Sequence, residues 1–170
     1  MTSSDRPWEP PIAGTEAEHL IGALDRLRAT FRWKADGLGS AGLQARIGAS
    51  SLTLGGLLKH LAFVEEHCSA TKLSGAPPGP PWDAVDWDAD PDWEFSSAAG
   101  DTPEQLYALW DDAAARSRAR LGAALADDGL DQLIHVSGPD GRSQATLRTS
   151  VPGFLSRLAR NSSSAISRAP

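Results

Sequence analysis

The sequence predicts an all-α protein built as a helical bundle. Three stretches place apolar residues at the three- and four-residue spacing of a single helix face. Each stretch begins with a helix-capping residue, and connections rich in Gly and Pro separate them. An antiparallel four-helix bundle needs a fourth helix to close its groove, so the last residues of the chain decide whether the bundle is complete.

Composition limits the functional classes. A chain of 170 residues with 41% hydrophobic and 22% charged residues is typical of one soluble globular domain. The net charge of −6 argues against nucleic-acid binding through a basic surface. One cysteine excludes an internal disulfide and fits a reducing compartment. With no apolar leader and no run long enough to span a membrane, we expect a cytoplasmic protein without a membrane partner.

The first helix follows a short arm. Residues 1–14 contain Pro7, Pro10 and Pro11 and are expected to form an extended N-terminal arm. Thr15-Glu-Ala-Glu18 fits a capping box, in which the threonine and the glutamate each bond the other's free backbone N–H. The apolar face that follows, as far as about Asp36, is Leu20, Leu24, Leu27 and Phe31. The charged residues Asp25, Arg26 and Arg28 are predicted to lie on the other faces.

The second helix is predicted from about Thr53, its N-cap, to Lys72. Its apolar face contains Leu54, Leu57, Leu58, Leu61 and Val64. Gly55 and Gly56 cost roughly 1 kcal/mol each relative to alanine. Either another backbone approaches closely there, or two glycines are simply tolerated near a helix end. His60 lies at the edge of the apolar face. It is either a core histidine with a satisfied hydrogen bond or one ligand of a site inside the bundle.

A long aromatic loop covers residues 73–100 and opens with Pro77-Pro-Gly-Pro-Pro81. A loop this long is uncommon unless it is functional or packs through its own side chains. Three tryptophans and Phe95 alternate with acidic residues, which predicts that the rings are buried and the carboxylates remain in water. We do not expect Ca²⁺ here, because the spacing lacks the Gly and the bidentate Glu of an EF-hand loop.

The third helix begins at Asp101-Thr-Pro-Glu-Gln, which has a capping residue and a proline at the first helical position. It is predicted to end near Ala126. Ser117 falls within the apolar face and is expected to bond back to its own preceding turn. The arginines at 116, 118 and 120 are interpreted as the solvated side of this helix.

The end of the chain differs from the rest. Residues 141–170 contain no aspartate or glutamate, five arginines and seven serines. Pro152-Gly153 interrupts the apolar spacing and leaves only Phe154, Leu155 and Leu158 as a short helical face. We therefore expect a degenerate or short fourth helix. The predicted domain covers residues 15–147, and residues 148–170 are an atypical segment with the composition of a flexible tail.

Several motifs together resemble a known superfamily over roughly residues 7–142. They are Glu9-Pro-Pro, Phe31-Arg-Trp-Lys, Ser50-Ser-Leu-Thr-Leu-Gly-Gly-Leu-Leu-Lys-His-Leu61, Pro91-Asp-Trp-Glu-Phe and Asp101-Thr-Pro-Glu-Gln-Leu-Tyr-Ala-Leu-Trp110. This set resembles the DinB-like, YfiT-like superfamily, in the actinobacterial mini-circle protein branch that is related to mycothiol-dependent enzymes.

The resemblance implies a four-helix bundle in up-down-down-up order and a divalent metal, zinc or nickel, held by three side chains. The histidine of the second helix, here His60, is the implied first ligand, and the fourth helix supplies the other two. The implied activity is transfer or isomerisation with a low-molecular-weight thiol, mycothiol, whose thiolate the metal activates. The implied partners are this thiol and a small-molecule substrate, and such bundles also form homodimers.

The chain departs from this pattern because no histidine or glutamate follows Leu147. His67 cannot replace the missing ligands, since seven helical residues separate it from His60 by about 10.5 Å. Cys68 does not face its neighbour His67 on a helix and is expected to be a buried, inert thiol. Either the tail is an out-of-frame reading of a GC-rich gene, or the chain is a natural member that lost its metal. His19 is expected in solvent and His135 is expected to be structural or exposed.

Two functions follow as hypotheses. The first is a metal-dependent, mycothiol-using transferase or isomerase, impaired here because His60 is the only remaining ligand. The alternative is a non-catalytic helical bundle that binds a small apolar ligand or associates with itself. Bound metal distinguishes the two, since a catalytic zinc needs about three protein ligands.

Overall fold

The computed structural model describes residues 13–46, 51–137 and 144–166. Most of the predicted arm over 1–14 and the turn around 138–141 lie outside these residues. The elements, in order, are α1 (Glu16–Ala35), α2 (Ser40–Gln44), α3 (Leu54–Glu66), a π-helical continuation (His67–Leu73), a 3-10 turn (Trp82–Ala84), α4 (Trp93–Ser96), a 3-10 turn (Ser97–Gly100), α5 (Pro103–Asp127), a 3-10 turn (Gly129–Asp131), β1 (Leu133–Ser137), β2 (Gln144–Thr146) and α6 (Leu147–Ile166).

The fold is all-α, as predicted, with one short antiparallel hairpin of β1 and β2. Helices α1, α3, α5 and α6 form the bundle; α3 packs chiefly against α5, and α1 against α6. Their buried apolar side chains make one continuous cluster, which includes Leu24, Leu61, Trp110 and Phe154. Within the described ranges, no helix has both the length and the apolar character needed to cross a bilayer.

The helix starts are those that the sequence predicts. Thr15 and Glu18 form the capping box of α1, with the Glu18 carboxylate accepting from the Thr15 backbone N–H at 2.7 Å. Helix α5 begins with a second capping box, between Thr102 and Gln105, and has Pro103 at its first position. Side-chain caps bond the N–H groups that have no partner in the first turn, so they set where each helix begins.

Helix α3 starts at its predicted N-cap, where the Thr53 hydroxyl accepts from Gly56 N–H at 3.0 Å. The predicted close backbone approach is found at Gly55. A Cβ added there would lie 3.2 Å from the carbonyl oxygen of Leu43 and 3.1 Å from a methyl of Leu106. Glycine therefore lets α2 and α5 pack directly on the first turn of α3.

Side-chain contacts give the direction of α1, α3 and α5. Tyr107, near the start of α5, donates to the carbonyl of Ala35 at the end of α1, at 2.5 Å. Helices α1 and α5 are therefore antiparallel. Glu66, at the end of α3, accepts from Arg120 in the second half of α5 at 3.0 Å. Together with the contact between their first turns, this makes α3 and α5 parallel.

Helix α6 is the main correction to the predicted fold. It runs for 20 residues, Leu147–Ile166, and is not short. Pro152 lies in its second turn, where it removes one i→i−4 hydrogen bond while the rest of the helix continues. The buried side of α6 is formed by Leu147, Val151, Phe154 and Leu158.

The start of α6 also fixes its direction. Arg148 pairs with Glu16 in the first turn of α1 and with Asp131, so α1 and α6 are parallel and the order is up-down-down-up. That residues 148–170 form a separate, flexible segment stays a prediction.

The aromatic loop packs through its own rings, as predicted. Trp82 is 1% exposed and meets Trp93 edge-on at 5.9 Å between ring centroids. Trp87 stacks on Phe63 of α3 at 4.7 Å. The prediction that the loop's carboxylates stay in water is wrong for Glu94, which is buried because α4 turns it toward α3.

Candidate functional site

The predicted site residue His60 lies on α3 and is partly buried. Its Nδ1 is 3.0 Å from Oε1 of Glu94, and its ring stacks on Phe95 at 4.7 Å between centroids. Helix α4 supplies both neighbours, because its single turn places consecutive side chains of Pro91-Asp-Trp-Glu-Phe against α3. Sequence analysis selected His60 and missed Glu94.

The His60–Glu94 contact leaves one imidazole nitrogen available. A carboxylate accepts, so in a neutral imidazole this contact favours the tautomer with the proton on Nδ1, in which Nε2 is an acceptor. A histidine held through one nitrogen by a carboxylate is the arrangement that metal-ligating histidines have. The second carboxylate oxygen, Oε2 of Glu94, is buried and has no hydrogen-bond partner within the described part of the chain. Such an orphan acceptor costs about 1–3 kcal/mol, so it marks a place where a donor or a cation would bind favourably.

The residues present do not fit the implied three-ligand metal. Across residues 13–46, 51–137 and 144–166, no three His, Cys, Asp or Glu side chains come together in a way that could hold an ion. The sequence from Leu147 to Pro170 contains none of these four residue types. His60 is one possible metal ligand. Even if the Glu94 carboxylate is counted as a second, the pair has fewer than the three protein ligands of a catalytic zinc. His60 as a metal ligand stays a prediction.

A buried ionic cluster joins α1, α3 and α5 at the level of Glu65. Arg28 donates to both carboxylate oxygens of Glu65, at 2.7 and 2.6 Å, and also to the Ser117 hydroxyl at 2.9 Å. Arg28 is 2% exposed, and Glu65 and Ser117 are fully buried. The predictions that Arg28 lies off the buried face and that Ser117 bonds its own turn are therefore wrong. The missed signal is spacing, since Arg28 falls four residues after Leu24 on the buried line of α1.

A second buried carboxylate, Glu66, binds the arginines of α5. It accepts from Arg116 at 3.1 Å and from Arg120 at 3.0 Å, and Arg120 also donates to Ser69 at 3.1 Å. Burial opposes the charged form of Glu66, but the hydrogen bonds from the two arginines outweigh it and lower its pKa. Arg118 pairs with Asp25 at 2.7 Å. These arginines are thus not simply a solvated side of α5.

The other histidines lie apart from His60. His19 and His135 are exposed, as predicted. His67 stacks on Phe63 at 5.5 Å, and burial, then the charges of Lys72 and Arg157, lower its pKa. None of the three adds a ligand beside His60 in the described structure.

Cys68 borders a separate cavity of about 180 Å³, which lies between the π-helical end of α3, the β-hairpin and the start of α6. Burial raises the pKa of the Cys68 thiol, which agrees with the predicted inert thiol, because the thiolate is the nucleophilic form.

One of the three comparisons with known proteins identifies a family. The family model for Mycothiol-S-transferase matches residues 19–160. Searches of the curated proteins and of the solved structures found no significant match. The matched region spans α1 to most of α6 and includes His60, Glu94 and the buried ionic cluster. Proteins of this family use a thiol substrate and generally depend on a metal. The chain therefore belongs to the mycothiol-S-transferase family, within the DinB-like superfamily.

Proposed function

We propose that this chain keeps the fold of a mycothiol-using, metal-dependent transferase or isomerase but is impaired as a catalyst. The observation that carries this proposal is the number of possible metal ligands. His60 and Glu94 are in contact, and α6 contains no His, Cys, Asp or Glu. Two donors do not make a catalytic zinc or nickel site. We therefore derive no reaction step through a metal in this chain.

The geometry around His60 supports this interpretation. Glu94 orients the imidazole, and Phe95 packs on its face, so the ring is held in one position without a metal. The orphan Oε2 of Glu94 indicates that the pair is incomplete. A member with two further ligands would complete it, and this chain offers the first ligand and its orienting carboxylate alone.

The second candidate is a non-catalytic bundle that binds a small apolar molecule. It is favoured by the cavity at Cys68, whose walls are mainly apolar and which does not include His60.

A homodimer is a further proposal, tested by light scattering on the purified protein. The predicted compartment is the cytoplasm, and the predicted thiol partner is mycothiol.

Elemental analysis of protein purified without a metal-binding tag tests the first proposal. We expect zinc and nickel far below one atom per chain, with no further loss in His60→Ala. His19→Ala is the matched control, because His19 is exposed and lies in the first turn of α1, apart from His60. Near-stoichiometric metal that is lost in His60→Ala but kept in His19→Ala would refute the impairment and establish a working metal site.

A further inference from the structure

The cavity at Cys68 has an apolar interior. Leu73 at the end of the π-helical segment, Leu121 of α5, and Ile134 and Val136 of β1 form one side, and Phe154 of α6 forms another. Its volume of about 180 Å³ is slightly larger than the cavity of about 150 Å³ that takes benzene in an engineered protein core. This half-open space suits an apolar group of about six carbons.

Two cations line the same cavity. Lys72 is on the π-helical segment, and Arg157 is on α6, ten residues after Leu147, the first α6 residue that lines the cavity. In the described part of the chain, neither side chain has a carboxylate partner. By contrast, Arg116, Arg120 and Arg148 are each paired with carboxylates.

Lys72 is half-buried and Arg157 is exposed, and the charges of both reach His67 and Cys68 beside the cavity. Both favour the thiolate of Cys68, although burial outweighs them, and both disfavour a proton on His67. An unpaired pair of like charges beside an apolar space is relieved when an anion binds between them. The hydroxyls of Ser69, Thr149 and Ser150 also line the cavity and can donate to an anion.

We propose that this cavity binds a small monocarboxylate, with an apolar body of about six carbons among Leu73, Ile134 and Phe154 and its carboxylate between Lys72 and Arg157. The inference rests on the non-catalytic alternative above and deepens it by naming the ligand class. The site is distinct from His60, which does not line the cavity and lies eight residues before Cys68, on α3, whereas Cys68 is on the π-helical segment.

Cys68 provides a direct measurement of occupancy, because it is the one cysteine in the sequence and lines the cavity. The rate of its modification by methyl methanethiosulfonate, followed by mass spectrometry at pH 8, is measured against increasing hexanoate, 1-hexanol and hexylamine. We expect hexanoate to slow the reaction at the lowest concentration and hexylamine to protect least. Calorimetric titration with hexanoate gives the affinity independently.

Substitutions test the role of the cations. Lys72→Gln/Arg157→Gln should weaken hexanoate at least tenfold and leave protection by 1-hexanol unchanged. Lys34→Gln/Arg26→Gln removes the same charge from exposed positions on α1 that do not line the cavity, and it should leave both affinities unchanged. Val136→Phe, which fills the cavity from β1, should abolish protection by both compounds while circular dichroism shows the helices intact.

The outcomes distinguish the specific proposal of a carboxylate ligand from the general proposal that the cavity binds an apolar molecule. Equal protection by hexanoate and 1-hexanol, unaffected by Lys72→Gln/Arg157→Gln, would overturn the carboxylate ligand and leave an apolar ligand site. No protection and no calorimetric signal with either compound would overturn both the carboxylate ligand and the non-catalytic binding function. Neither result depends on the metal content at His60.

Discussion

The interface between α3 and α5 differs from the side of the bundle that α6 closes. Between α3 and α5, the buried Glu66 carboxylate is paired with Arg116 and Arg120, and Gly55 admits a close contact. Helix α6 contributes an apolar face, no metal-ligating side chain and one wall of a cavity. The comparison shows that the buried carboxylate between α3 and α5 has its arginine partners, whereas the ligands expected for a metal site do not come together in the described part of the chain.

The largest effect is expected at the buried ion pair. Arg28→Ala leaves the carboxylate of Glu65 buried without its partner, and we expect a loss of about 3–5 kcal/mol in the free energy of unfolding. Arg26→Ala, on the exposed side of α1, should change it by less than about 0.5 kcal/mol. Urea unfolding measures both. A loss below about 1 kcal/mol for Arg28→Ala would mean that the pair is not buried in solution.

The second prediction tests whether α6 packs as a helix of the bundle. Leu158 is 2% exposed, so Leu158→Ala should cost roughly 2–4 kcal/mol through lost burial and the cavity that remains. Ser156→Ala, at an exposed position of the same helix, serves as control and should be nearly neutral. If Leu158→Ala is as neutral as the control in urea unfolding, the flexible tail predicted from composition is the better description.

Two charge-removing substitutions compare Glu65, whose carboxylate is paired with Arg28, with Glu94, one of whose carboxylate oxygens has no partner among the described residues. Glu65→Gln weakens two charged hydrogen bonds to Arg28, with an expected cost of about 2 kcal/mol. Glu94→Gln keeps an acceptor for His60 and removes a buried carboxylate whose Oε2 has no partner among the described residues, so we expect a cost below about 0.5 kcal/mol. Thermal and urea unfolding of both variants checks the difference. Equal costs would show that Glu94 is as fully paired as Glu65.

A further small effect is the pH dependence that Glu66 contributes to the free energy of unfolding. Its folded pKa lies below the ordinary value of 4.5, so its contribution is fully present above pH 4.5 and is lost as the pH falls through the folded pKa. Arg120→Gln should cost about 1 kcal/mol at pH 7, since Arg120 is partly exposed, and the difference from the wild type should shrink below pH 4. Arg26→Gln is the control. Urea unfolding at pH 7, 5, 4 and 3 measures this, and a constant difference at every pH would contradict the assignment.

Local patterns predicted the elements well because caps and apolar spacing act within a few residues. The capping residues Thr15 and Thr53 and the packed tryptophans of the aromatic loop are found where the sequence places them. The prediction of a short or degenerate fourth helix is wrong. Pro152 lies in the second turn of α6 and removes only one backbone hydrogen bond, so the helix continues through Pro152-Gly153.

Polar contacts between distant residues were the other source of error. Arg28 and Ser117 are 89 residues apart, and His60 and Glu94 are 34 apart. The sequence does not show whether an arginine is buried or exposed. Helical spacing alone does not decide it unless the residues of the partner helix are known. The four-residue spacing of Arg28 from Leu24 indicates the buried face of α1, whereas the charge of Arg28 favours an exposed position.

The sequence by itself determined helices α1, α3 and α5, their capped starts, the position of His60 on α3 and the lack of metal-ligating residues in α6. These properties depend on residue identity and on hydrogen bonds within one turn. The tertiary structure alone decided that Glu94 holds His60, that Arg28 and Glu65 are buried together, and that Lys72 and Arg157 line one cavity. Burial and charge pairing are properties of the space between helices, and that space exists only after the chain has folded.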